Sequence, residues 1–214
     1  MLIANYNFAQ AGDVLLVTLR QDSASELHEK KNDIVRIYDE KSGETIGYNF
    51  FKAASYLGEL QPAGKIDLTA AQVEVLNEQL SAAGFPAELV VDDQPYFVVG
   101  HVAEISEHPD SDHLHVLKVE VDQDEELKIV CGAPNIAADQ TVVIAKVGAM
   151  MPSGAIIWPG KLRGQESFGM VCSARELALP NAPQKRGILE LPAADYQTGE
   201  PFDFQKAATM FAAE

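Results

Sequence analysis

Cysteine is nearly missing from this chain: 214 residues hold two, Cys131 and Cys172. Two cysteines 41 positions apart make no disulfide framework, so a reduced, cytoplasmic setting is expected. Long hydrophobic runs are absent. Nothing approaches 18 consecutive apolar residues, which excludes a membrane-spanning helix. The opening MLIANYNFAQ carries no basic stretch and no apolar core, so it is not a secretory signal. Basic charge is scarce: 16 Lys and Arg stand against 32 Asp and Glu, a net charge of −16. Both halves share the deficit, with 15 acids to 7 bases in residues 1–94 and 16 to 8 in 95–203. Broad, non-specific coating of nucleic acid is therefore excluded; any RNA contact must be local. Gly-rich phosphate loops, nucleophile elbows and C-x-x-C pairs are also missing, so no cofactor is expected.

What is present is enough apolar content, 47%, for a buried core. The polar break Asp92-Asp93-Gln94-Pro95 divides the chain. Residues 1–92 read as a small α+β domain without a chemical motif. Val14–Leu19, Ile34–Tyr38 and Thr45–Phe50 are strand candidates, the last two joined through Gly43. Residues 69–83 are the clearest helix, with Thr69 and Gln72 at capping-box spacing, Val73, Leu76 and Leu80 on one face, and Gly84 and Pro86 at the stop. Residues 95–203 read as all-β. Strands are expected at Phe97–Ile105, Val116–Val121, Leu127–Val130 and Val142–Ala145, after the turn in GAMMPSGAIIW, and at Ile188–Leu191. Several short strands in about a hundred residues suggest a small barrel or sandwich. Residues 204–214 form a tail or a short helix, with Phe204, Ala208 and Phe211 to one side.

Two sets of side chains invite chemistry. His101, His108, His113 and His115 cluster in sequence, but their spacing to Cys131 and Cys172 does not fit a closed zinc site. Ser153, Ser167, Ser173 and the two cysteines are candidate nucleophiles with no marked base, and apolar neighbours suit buried, inert thiols. No catalytic residue and no metal ligand is therefore expected. The stretch KLRGQESFGMVCSARELAL, residues 161–179, is different. On a strand Lys161 and Arg163 share a face, with Leu162 directed to the core. Ser167 and Ser173 add hydroxyls, and Gly164 and Gly169 allow close approach. Such a face can grip a phosphate–sugar backbone, or it can be the solvated side of a strand.

Four segments, VVGHVAEISEHPDSDHLHVLKVEV, IVCGAPNI, GAMMPSGAIIWPGKLRGQESFGMVCSARELAL and GILEL, resemble in order and spacing the EMAP-II-like tRNA-binding domain, found also in the phenylalanyl-tRNA synthetase β subunit. The resemblance covers about residues 95–203. It implies an OB-fold barrel, with the loop His108–Asp112 joining its first two strands and CGAPN leading from the third to the fourth. An α+β domain ahead of the module and nothing behind it is similar to the YtpR-type stand-alone tRNA-binding-domain proteins. The implied activity is non-catalytic binding of structured RNA, most of all tRNA. The implied RNA-binding set is Lys161, Arg163, Ser167, Ser173, Arg175 and Asn135. The alternative is an adaptor that docks to an aminoacyl-tRNA synthetase or translation factor, as the acidity favours. A homodimer is left open.

Overall fold

The computed structural model describes residues 1–61, 63–122 and 125–211. Residues 212–214 of the expected tail lie outside the described residues. The chain divides into two compact units, Met1–Asp93 and Gln94–Glu214. Among the described residues no helix is long and apolar enough to cross a membrane.

The first unit runs β1 (Ile3–Asn7), α1 (Phe8–Ala11), β2 (Val14–Thr18), β3 (Glu26–Lys31), β4 (Ile34–Asp39), β5 (Thr45–Phe51), α2 (Ala54–Leu57), β6 (Ala63–Ile66) and α3 (Ala70–Ala82). Its strands form one antiparallel sheet in the order β3-β4-β5-β2-β1-β6. The β4–β5 turn is built on Asp39, whose carboxylate accepts from the Lys41 and Ser42 amides. These bonds, Ser42's first, hold its carboxyl down at about 2. Helix α3 begins with the expected reciprocal Thr69–Gln72 box. Its buried Val73, Leu76 and Leu80 share one core with Leu15, Tyr48 and Phe50. The segment after α3 is tied back twice. The Asn77 amide brackets the Leu89 backbone, and Glu88 accepts from Thr45 and Tyr48.

The second unit contains β7 (Phe97–Glu107), β8 (His115–Asp122), β9 (Glu125–Cys131), β10 (Thr141–Lys146), β11 (Gly160–Leu162), β12 (Gln165–Ser167), β13 (Gly169–Val171) and the single-turn α4 (Phe204–Ala207). Five strands lie in the antiparallel order β13-β10-β7-β8-β9. The two edges then meet: the Phe168 amide donates to the Lys128 carbonyl at 2.8 Å, and the Val130 amide to Ser167 Oγ at 3.0 Å. The result is a nearly closed barrel of OB type behind an α+β unit. Strands β7 and β10 are apolar at successive positions because both of their faces are buried. Val98, Val142 and Ile144 fill one core with Leu117, Val119 and Ile129. Their neighbours Val99, Val143 and Ala145 pack outward under Cys172, Leu189, Tyr196 and Phe202.

Two expected strands are corrected. The segment after the GAMMPSGAIIW turn makes one bridge, Met150 to Ile156, and Ile188–Leu191 makes one, Glu190 to Val142. The second has a direct cause: β13 already occupies Ile144–Lys146 on that edge of β10, leaving room for a single pairing.

Candidate nucleic-acid interface

The KLRG stretch is a hairpin tip rather than a strand face. Strands β11 and β12 pair Lys161 with Glu166 and Leu162 with Gln165. Arg163 and Gly164 form the two-residue loop at φ +43° and +88°. Positive φ at both central residues is the requirement of a type I′ turn, whose twist matches the flanking strands. This corrects the expectation that Lys161 and Arg163 share one strand face: Arg163 lies in the loop. Leu162 is not in the core but 42% exposed. The hairpin is clamped to the loop joining β7 and β8. Arg163 Nη1 donates to the Asp110 carbonyl at 2.9 Å, and His108 Nε2 lies 3.1 Å from the Leu162 carbonyl. Lys161 and Phe168 stand exposed beside it.

The two serines are placed inside the protein. Ser167 is buried; its hydroxyl accepts from Val130 and donates to the Gly169 carbonyl, stitching the barrel seam. Ser173 is also buried. Its amide and hydroxyl donate to Glu176 Oε2 at 2.8 and 2.6 Å, and its oxygen accepts from the Glu176 amide. This is capping-box chemistry, Ser-x-x-Glu, closing a turn. Asn135 is exposed, yet both ends of its amide serve the backbone. Its Nδ2 donates to the Ile188 carbonyl at 3.1 Å, and its Oδ1 accepts from the Ile188 amide at 2.8 Å.

Arg175 is brought together with two residues that sequence reasoning missed. Arg175, Lys185 and Arg186 line a cleft of about 240 Å³ between the end of β9, strand β13 and the segment before Ile188. The signal was present as an adjacent basic pair, QKRG, in an acidic chain. Cys131 also lines this cleft. Burial raises its thiol, and burial pushes Cys172 up to about 12, so neither is poised as a nucleophile. Among the described residues no group of three or more His, Cys, Asp and Glu could hold a metal ion.

This site belongs to a recognised module. Residues 97–201 match the family described as "Putative tRNA binding domain", and residues 21–92 match one described as "Domain of unknown function". The barrel and its hairpin thus define a member of the tRNA-binding-domain class joined to an α+β unit. The Bacillus subtilis protein named "Putative tRNA-binding protein YtpR" is 46% identical over 202 residues, covering 94% of this chain and 99% of the relative. The chain belongs to the YtpR family. Phenylalanine–tRNA ligase β subunits of Nitratidesulfovibrio vulgaris and Aromatoleum aromaticum are 47% and 50% identical over 122 residues, 55% and 56% of this chain. Those matches span 15% of each subunit.

Proposed function

We propose that the chain binds structured RNA, tRNA foremost, through its barrel, in the cytoplasm and without catalysis. The observation that carries this reading is the β11–β12 hairpin. It presents Lys161 and Arg163 beside exposed Leu162 and Phe168, and it is held to the β7–β8 loop by two hydrogen bonds. Cations interleaved with apolar surface grip a phosphate backbone and its unstacked bases. The family match and the names of the relatives support the same ligand. The net charge of −16 repels random polyanion, so selectivity for a shaped target follows.

The test is a salt titration of tRNA binding. Three phosphate contacts give a slope of log K against log salt of about −2 to −3. Affinity that ignores salt, or no binding at any salt, overturns the reading. The same acidity favours a second reading, an adaptor that docks to an aminoacyl-tRNA synthetase. Co-purification with a synthetase after nuclease treatment, together with absent tRNA binding, would establish it.

A further inference from the structure

We infer that the cleft beside Cys131 and Ile188 is a slot for one unstacked nucleotide, its phosphate held by Arg175, Lys185 and Arg186. The inference rests on the RNA-binding reading and deepens it by adding a contact apart from the hairpin.

Charge singles the cleft out. Elsewhere in the unit, apart from Lys161 at the hairpin, the lysines are engaged. Lys118 pairs with Glu104, Lys146 with Glu125, and Lys128 donates to Gln165. Lys206 lies over the Tyr196 ring. Among the described residues the side chains of Arg175, Lys185 and Arg186 make no hydrogen bond or ion pair, yet they line one cleft. The acid in that lining is Glu176, whose Oε2 already accepts from Ser173 twice. Three cations against the one Glu176 carboxylate leave the lining net positive in a chain of net charge −16, a focused positive spot.

Shape and chemistry narrow the ligand. Beside the cations the lining holds apolar side chains, among them Pro134, Met170, Val171 and Ile188. An anion alone would use the cations and leave these apolar side chains without a contact. A duplex backbone needs an open groove. A nucleotide has a phosphate for the cations and a base for the apolar side chains or an Arg plane, the joining of charge and base contact by which single-stranded RNA is held.

The slot is also preorganised. Lys185 and Arg186 lie on irregular chain, but Asn135 fixes its end by the paired bonds to Ile188. Gly187 sits against that amide at φ +140°; a Cβ there would lie 2.7 Å from Asn135 Oδ1. Asn135 is thus a positioning residue for the two cations. Holding them in place lowers the ordering cost of binding.

The experiment titrates the full chain with adenosine monophosphate and, separately, inorganic phosphate, following backbone amide shifts. In parallel, tRNA affinity is measured against salt for the wild type, the triple variant Arg175→Ala/Lys185→Ala/Arg186→Ala, and Lys161→Ala. A free mononucleotide and an RNA terminus present the same chemistry, and the two arms separate them. Expected are shifts at Gly132, Gly187 and Ile188 with the nucleotide and weaker ones with phosphate. The triple variant should lose the shifts, keep its amide dispersion, and flatten the tRNA salt slope by about 1. Lys161→Ala should keep the nucleotide shifts. Absent nucleotide shifts, or a triple variant with the wild-type slope, overturn the slot. Nucleotide shifts in a chain that binds no tRNA keep the slot and overturn the tRNA reading.

Discussion

His108 and Leu162 are joined across 54 positions of sequence by one hydrogen bond, ring nitrogen to carbonyl, at 3.1 Å. The tautomer follows from the other ring nitrogen. Nδ1 accepts from the Asp110 amide at 3.1 Å, so Nε2 carries the hydrogen and donates to Leu162. His108 is 3% exposed, so its loss removes a buried ring together with both bonds. His108→Ala should cost about 1 to 3 kcal/mol. It should also speed amide exchange in the β11–β12 hairpin and weaken tRNA binding. Urea unfolding and hydrogen exchange check this; an unchanged midpoint with unchanged hairpin protection would sink it.

Arg163 serves two roles that one substitution can separate. Its φ of +43° disfavours most side chains, while its guanidinium reaches Asp110 and solvent. Arg163→Gly keeps the backbone permissible and removes the charge. It should hold stability near the wild type and lower the tRNA salt slope by about 1. Gly164→Ala, at φ +88°, does the opposite: the charge stays and the turn is strained, at a cost of about 1 kcal/mol or more. If both variants bind tRNA with wild-type slope and affinity, the hairpin does not touch phosphate.

The sequence speaks most clearly where the deciding forces are local. The Thr69–Gln72 box and the Val73, Leu76, Leu80 stripe belong to one helix, and both appear in α3. Strands β7 and β10 announced themselves as apolar runs because both faces are covered. Strand β3, ELHEKK, escaped notice: it is a charged sheet edge that buries little, as edges that avoid aggregation do. The hairpin was misread because Arg163 occupies a site where Asn or Gly is the usual signal. The Lys185–Arg186 segment has no regular pattern at all. Its end is set by the bond of Ile188 to Asn135, 53 positions apart, which no window of sequence reveals.

Ser167 and Ser173 should matter to folding and not to RNA charge. Ser167→Ala leaves the Val130 amide without its acceptor at the barrel seam, a loss of about 1 to 3 kcal/mol. Ser173→Ala removes the cap from the 173–176 turn, about 1 kcal/mol. Neither hydroxyl releases counterions, so at temperatures where each variant is folded the salt slope should match the wild type. Denaturation midpoints and salt titrations decide it. A slope that falls by about 1 in either variant would mean that the serine orders a phosphate-bearing cation.

The last prediction concerns alkaline pH. Cys172 is fully buried between the barrel and its outer covering, and its pKa lies at about 12, first because burial penalises the thiolate and then because Glu176 is negative. An unfolded cysteine titrates at about 8.5. The folded value is the higher one, so the neutral thiol's contribution is complete below about pH 8.5 and is lost as pH climbs toward 12. The unfolded chain sheds its proton first, and stability falls by up to about 1.4 kcal/mol per pH unit in that window. Cys131 acts in the same direction. Tyr48, raised to about 12 in the other unit, adds only above about pH 10. Cys172→Ala should therefore flatten the stability profile between about pH 9 and 10, even though losing the sulfur lowers stability at neutral pH. A thiol reagent at pH 8 should leave Cys172 of the folded protein untouched and find two cysteines on unfolding. Rapid labelling of Cys172 in the native protein, or a Cys172→Ala profile parallel to the wild type, would show that the thiol is not sealed in the core.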